Sequence, residues 1–128
     1  MPRRQSIDLA YMRHGNPFPV GSKIGNIVIS GAIHCVDEKS GQTPEGPGEQ
    51  VAAMFNNIRN FMAAAGGATD DILKIRLLVK EPQYSGYINK EWVAMFPDEE
   101  CRPTRKIDIP VQLHGGFFAA EIYAVLDQ

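Results

Sequence analysis

An apolar stripe in the middle of the chain limits what the sequence can fold into. From Glu49 onward, apolar residues recur at helical spacing over about four turns. They are Val51, Met54, Phe55, Ile58, Met62 and Ala65. Gly66 and Gly67 then supply a helix stop. The pattern predicts one amphipathic helix, which needs a broad apolar surface to cover it.

The chain after this helix changes to the two-residue period of strands with one buried face. Ile72–Lys80 alternates, with an apolar face made of Leu73, Ile75, Leu77 and Val79. Phe117–Leu126 alternates too, with one face made of Phe118, Ala120, Ile122, Ala124 and Leu126. Lys106–Gln112 is a third such run, in which Pro110 favours an edge position or a bulge because proline lacks the N–H that a ladder needs.

Shorter signals complete the predicted order. Ser6–Met12 could be a first strand, and Lys23–Ile33 is rich in β-branched residues and predicts one buried strand. A second, shorter helix is predicted around Trp92. His114-Gly115-Gly116 predicts a hairpin turn before the last strand. The order β-β-α-β-α-β-β predicts one α+β domain over residues 1–128, a sheet with two helices on one face.

The second face of the last strand predicts association. It carries Phe117, Ala119, Tyr123 and Val125, with Glu121 among them. Two helices cover only one side of a sheet, so a monomer would leave this apolar surface exposed to water. Exposed patches of this kind mark contacts between proteins, and Glu121 would then lie at or near a subunit interface.

Composition narrows the class of protein. The 128 residues carry a net charge of −2, which disfavours a general polyanion binder. Cys35 and Cys101 lie far apart and are expected to be reduced thiols of a cytosolic protein. The first residues contain no apolar core of a signal peptide, and no apolar run approaches the roughly 18 residues of a spanning helix. We therefore expect a soluble, cytoplasmic protein.

Two charged features suggest a site. Arg102-Pro103-Thr104-Arg105 lies where an acidic turn enters a strand, and arginine suits fork-like binding of a carboxylate or phosphate. Arg105 could instead be a surface arginine or an interface ion-pair partner, and Arg102 is assigned a structural role. Glu121 lies in an apolar strand, where a carboxylate is costly unless it is paired or used. It could pair with a neighbouring Arg or Lys, or exchange protons with water and a leaving amine.

The three histidines do not predict a metal site. His14, His34 and His114 show neither H-x-x-x-H nor H-x-E spacing. His14 lies in a loop that could border a cleft, so it is kept as a candidate substrate contact.

An ordered set of motifs resembles the Rid family (RidA/YjgF/L-PSP) of reactive intermediate deaminases, over almost the whole chain. The motifs are I-G-N-I-V-I-S-G at 24–31, the helical segment 56–74, N-K-E-W-V-A-M-F-P at 89–97, R-P-T-R at 102–105 and A-A-E-I-Y-A-V at 119–125. The resemblance implies a chorismate-mutase-like α+β fold and a homotrimer with clefts between subunits. It also implies hydrolysis of small enamines and imines to a 2-oxo acid and ammonia, without metal or organic cofactor. Other members have been assigned 2-aminomuconate or 3-aminoacrylate deamination, or endoribonuclease activity.

The same resemblance implies roles for particular residues. By position, Arg105 holds the substrate carboxylate and Glu121 handles the water. Asn89 and the Ser30-Gly31 pair would help with hydrogen bonds to the substrate.

Two positions depart from the family's pattern and bear on the substrate. Phe18 stands where the family has a cleft tyrosine and lacks its hydroxyl. Ile107 stands where many members have a cysteine, a position thought to act partly through its backbone carbonyl.

Three functions remain open from the sequence. The first is a cofactor-free enamine/imine deaminase. The second is a trimer that binds small carboxylates without turnover, or acts like a chaperone, which would suit the loss of the tyrosine hydroxyl. The third is a ribonuclease, which the acidic net charge disfavours.

Overall fold

The computed structural model describes residues 3–12 and 14–127, and within this range the strands form one mixed sheet in the order β1-β2-β3-β6-β4-β5. The strands are β1 (Gln5–Ile7), β2 (Gly21–Ile24), β3 (Ile27–Ser30), β4 (Ile72–Val79), β5 (Thr104–Asp108) and β6 (Phe118–Val125). The helices are α1 (Pro47–Ala64) and α2 (Ile88–Met95). The β4–β5 pair is parallel and the other described pairs are antiparallel. The predicted α+β class is confirmed.

Helix α1 forms the apolar stripe that the sequence predicts. Its buried residues include Val51, Met54, Phe55, Ile58 and Met62, at most 2% exposed. The helix begins at Pro47, two residues before the predicted start, because proline is accepted in a first turn, where its missing N–H has no partner to lose. Gly66 ends the segment at a φ of +88°, a conformation that glycine adopts without strain.

The predicted faces of the two long strands are largely confirmed. In β6 the face from Phe118 to Ala124 that was predicted apolar is buried. On the second face the prediction of an exposed surface was wrong for Ala119, which is fully buried, and for Phe117, which packs against the core. In β4 the assignment of Leu73 was wrong, since Leu73 is 61% exposed and Ile72 is buried instead. The register of β4 on β6 shifts between Ile72 and Lys74, and this irregularity turns Leu73 outward.

The N-terminal third departs from the prediction. Lys23–Ile33 is not one strand, because β2 and β3 form an antiparallel hairpin whose turn contains Gly25 and Asn26. Gly25 has a φ of +57°, which the tight turn requires. The predicted strand Ser6–Met12 is also shorter, since β1 ends at Ile7 and a 3₁₀ turn covers Ala10–Met12.

The predicted hairpin at His114–Gly116 was wrong. Strand β4 lies between β5 and β6, so these two strands do not pair with each other. Residues 109–117 instead connect two strands that both pair with β4. The expected edge position is confirmed, because β5 is an outermost strand and ends two residues before Pro110.

The sheet has two different faces. Helices α1 and α2 contact each other and share one core with Ile75, Leu77 and Ile122 of the central strands. The second face, called the outer face below, carries the residues that alternate with these, among them Arg76 and Glu121. In the described range no helix has the length and apolarity that a membrane crossing needs.

Gly21 offers a test of this packing. A Cβ added at Gly21 would meet the ring of Phe61 and would lie 2.8 Å from the carbonyl oxygen of Ile29. We expect Gly21→Ala to lower the free energy of unfolding by about 1–3 kcal/mol, because the core must shift to admit the methyl group. Gly86→Ala is the control, since nothing lies within 4 Å of its Cβ. Urea titrations that give equal stabilities for both variants would contradict the packing of α1 on this strand.

Candidate active site

Arg105 lies on the edge strand β5 and is held by helix α2. Its Nη2 donates a hydrogen bond to Asn89 Oδ1 at 2.7 Å. Its guanidinium carbon lies 5.0 Å from the centre of the Trp92 ring. Arg105 is opposite Ile75 in the β4–β5 register, which places it on the helix side of the sheet edge. The structure therefore brings together the predicted residues Arg105 and Asn89, with the guanidinium group over an aromatic ring.

Glu121 lies on the outer face in a row of charged residues. Arg76 of β4 is paired with Glu121 of β6 on one side and with Lys106 of β5 on the other. The three side chains therefore share one face of the sheet. The Nη1 of Arg76 donates to Glu121 Oε1 at 3.2 Å, and its Nε donates to Asp108 Oδ2 at 2.6 Å. Lys106 Nζ lies 3.2 Å from Asp108 Oδ1. The carboxylate of Glu121 is therefore paired with an arginine. From the sequence, such an ion pair was the alternative to a role in proton transfer.

The ion pairs change the proton affinities of this row. The hydrogen bond from Arg76, and then that from Lys106, holds the pKa of Asp108 below its usual range. The hydrogen bonds to Asp108 and then to Glu121 raise the pKa of Arg76 above its ordinary value. Arg76 thus carries its charge at every relevant pH and faces two acceptors.

Arg76 and Asp108 were missed as site residues by the sequence reasoning. The signal for Arg76 was present, because the alternation of β4 puts it on the face opposite Ile75 and Leu77. What the sequence lacked was the strand order that places β4 beside Glu121.

The structure does not bring Arg105 and Glu121 together within one chain. Arg105 shares its row with Ile75 and Ile122, which face the helices, whereas Glu121 shares its row with Arg76 on the outer face. Strand β4 also separates their two strands. A site that uses both residues therefore needs more than one such chain.

Ser30 and Gly31 lie next to Glu121 in the sheet. The β3–β6 register shifts by one residue between the pair Ile29–Tyr123 and the bridge Ile33–Ala120, which leaves a bulge opposite Glu121. Ser30 Oγ accepts from the Ile122 N–H at 2.8 Å and donates to the Gly31 carbonyl at 2.7 Å. The hydroxyl of Ser30 is therefore engaged in shaping the backbone of this bulge.

Three further candidates lie in two places. Phe18 is 61% exposed and its ring centre lies 4.8 Å from that of His14, at the wall of one cavity. Ile107 packs its side chain against the core from β5. A contribution of Ile107 to a ligand would therefore come from its backbone at the sheet edge.

No group of three or more His, Cys, Asp or Glu side chains among residues 3–12 and 14–127 is placed to hold a metal ion.

Comparisons with known proteins agree with this fold. The sequence profile of a family described as "Endoribonuclease L-PSP" matches residues 16–125. The chain is 27% identical over 85 residues to the 2-iminobutanoate/2-iminopropanoate deaminase of Escherichia coli, and 28% identical over 85 residues to that of Salmonella typhimurium. Each match covers 66% of this chain and 66% of the relative.

Solved structures cover more of the chain. RidA from a Psychrobacter species gives a TM-score of 0.83 at 22% identity, over 95% of this chain and 99% of that one. E. coli TdcF with bound serine gives a TM-score of 0.83 at 20% identity, over 96% and 99% of the two chains. At this identity the likeness establishes the fold.

The row of charges on the outer face makes a prediction about pH. Since the pKa of Asp108 is lowered in the folded state, its contribution to stability is present above the unfolded value of about 3.9 and is lost as the pH falls through the folded value. We expect Asp108→Asn to be less stable than the parent at pH 7, with the gap closing in acid. Denaturant titrations at pH 7 and pH 3 measure this, with the exposed Asp70→Asn as control. A gap at pH 3 as large as the gap at pH 7 would refute the pairing with Arg76.

Proposed function

This chain belongs to the endoribonuclease L-PSP family, also called the Rid family, and we propose that it is a cofactor-free hydrolytic deaminase. Its substrates are small enamines or imines that bear a carboxylate, and its products are a 2-oxo acid and ammonia. The matched relatives named as 2-iminobutanoate/2-iminopropanoate deaminases support this proposal. The observation that carries it is the oriented guanidinium of Arg105 at the sheet edge.

Arg105 binds the substrate carboxylate in this proposal. One N–H is bonded to Asn89 and the guanidinium lies over Trp92, and both contacts favour one orientation of the group before a ligand arrives. A carboxylate can accept two parallel N–H bonds from such a fork, which fixes its position and the plane of the adjacent C=N bond. A charge-assisted pair of this kind contributes roughly 1.5–3 kcal/mol.

Glu121 moves the protons. A water attacks the carbon of the protonated imine and passes its proton to the carboxylate of Glu121, giving a carbinolamine. Glu121 then returns that proton to the nitrogen. The carboxylate takes the hydroxyl proton of the carbinolamine as the C=O bond forms and the C–N bond breaks, and it passes this proton to the departing ammonia, which leaves as ammonium. Arg76 holds Oε1 at 3.2 Å, so Oε2 is the oxygen directed to the water.

The active site lies between subunits of a homotrimer in this proposal. Arg105 and Glu121 lie on different sides of one sheet, so the Arg105 of one subunit would meet the Glu121 of its neighbour. An apolar patch on the outer face supports the association. Its members are Ile27, Ile29, Tyr123 and Val125, and three of them are 39–55% exposed.

The two cysteines bear on the location of the protein in the cell, and the net charge bears on the ribonuclease alternative. Cys35 is buried and Cys101 exposed, and both are free thiols, which supports a reducing cytoplasm. The net charge of −2 offers little of the phosphate neutralisation that a ribonuclease needs.

The other alternative is a trimer that binds small carboxylates without turnover. It keeps the role of Arg105 but gives the pairing of Arg76 with Glu121 no catalytic use. Ammonia release from freshly generated 2-iminopropanoate distinguishes the deaminase from the binding trimer, because only the deaminase produces it.

The first prediction from this proposal concerns Arg105. Arg105→Ala removes the charge and the fork, and Arg105→Lys keeps the charge alone. We expect kcat/KM to fall by about thirty-fold to several thousand-fold in the Ala variant, with Lys between it and the parent. Ammonia release and sedimentation equilibrium are measured on the same three proteins. An intact Arg105→Ala assembly with near-parental turnover would remove Arg105 from the site.

A second prediction tests whether the site is shared. Arg105→Ala and Glu121→Gln are each expected to be inactive. When trimers are assembled from equal amounts of the two variants, about a quarter of the parental activity should return, because a cleft needs an intact Arg105 from one subunit and an intact Glu121 from the next.

The control for this experiment mixes Arg105→Ala with the double variant Arg105→Ala/Glu121→Gln, which contains no intact arginine and must stay inactive. Mixed trimers that remain inactive would show that the two residues act within one subunit. A 14.1 kDa monomer in sedimentation equilibrium would exclude the shared site altogether.

A further inference from the structure

A cavity of about 550 Å³ is lined by all three histidines of the chain. The segment 32–36 alternates like a strand, with Ile33 and Cys35 buried in the core, while Ala32 and His34 line the cavity. Because residues 31–32 lie opposite Glu121 in the register, Ala32 of the cavity wall is a cross-strand neighbour of the residue assigned to proton transfer.

His34 is anchored at its backbone and has an imidazole nitrogen without a partner. Its carbonyl accepts from Nδ2 of Asn57 at 2.9 Å, and Asn57 is fully buried. The Nδ1 of His34 is buried and has no hydrogen-bond partner among the described residues. Burial, and then the neighbouring His14 and His114, lowers the pKa of His34, so the ring is neutral at neutral pH. A neutral ring in this place needs a polar atom from a ligand or from water.

The other two histidines complete a polar rim. His14 Nδ1 accepts from the Asn16 N–H at 3.2 Å, so its own proton lies on Nε2 and can be donated. His14 and His114 are both exposed at the mouth of the cavity. Apolar side chains such as Phe18 and Val36 supply most of the remaining wall, which also includes Tyr11, Asn16 and Thr43. The lining therefore suits a ligand with an aliphatic chain that ends in a hydrogen-bond acceptor.

We propose that this cavity receives the side chain of the substrate, and that the histidines recognise a second carboxylate at its end. The proposal rests on the deaminase function above and narrows its substrates to imines of amino acids with an acidic side chain. The imines named for the relatives carry only a methyl or an ethyl group beside the imine carbon. A cavity of about 550 Å³ falls within the usual range of ligand sites, which is roughly 300–1,000 Å³, and accepts a longer chain.

The experiment compares two product-like acids as ligands. Isothermal titration calorimetry measures the Kd of 2-oxobutanoate and of 2-oxoglutarate, which differ in the second carboxylate. We expect 2-oxoglutarate to bind the parent protein at least about tenfold more tightly. His114→Gln and His14→Gln are expected to remove most of this preference and to leave the Kd of 2-oxobutanoate unchanged. Both positions are exposed, so folding is preserved, and the exposed Arg59→Gln is the control that keeps the preference.

The outcomes separate this inference from the proposed function. Equal affinity for the two acids, or a loss of both in the histidine variants, would overturn the role of the cavity. If 2-iminobutanoate is still hydrolysed in that case, the deaminase function stands and only its substrate class changes. If no imine releases ammonia while 2-oxoglutarate keeps its histidine-dependent preference, the cavity stands as a site for dicarboxylates and the deaminase function fails.

Discussion

The pairing of β4 with β6 is the constraint on which the rest of the structure depends. These two strands lie at the centre of the sheet and are paired along nearly their whole length. Their two-residue period sends Ile75, Leu77 and Ile122 to one side, where α1 and α2 cover them. The same period sends Arg76 and Glu121 to the other side. A slip of one residue would bury the charges and expose the core, so folding and the placement of Glu121 are specified together.

Much of this arrangement was predictable from local pattern. The stripe of α1 and the core face of β6 follow from periodicity alone, because each residue type there agrees with its final environment. The hairpin at Gly25-Asn26 was hidden because both of its strands are only four residues long, and Ile24 at the end of the first continues into the β-branched residues of the second. Leu73 was misplaced because a register irregularity changes the face of a residue without changing the sequence pattern.

The site was harder to predict than the fold, for a physical reason. Arg105 and Asn89 lie only 16 positions apart and meet through one strand and one helix. Arg76 meets Glu121 across 45 positions, and the sheet order that joins them comes from packing rather than from local preference. His14, His34 and His114 gather from three separate loops. Sequence-spacing rules for metal ligands cannot predict that these three histidines line one cavity.

The bulge at Gly31–Ala32 links these parts into one system. Ser30 uses its hydroxyl to hold the bulge, and this returns the backbone to β6 with a register shifted by one residue. The shift sends Ile33 into the core, and Ala32 and His34 therefore toward the cavity. With an unshifted register, His34 would point into the core, where an unpartnered imidazole is costly. The hydrogen bond from the Ile122 N–H to Ser30 therefore supports the backbone arrangement that sets which side chains lie next to Glu121.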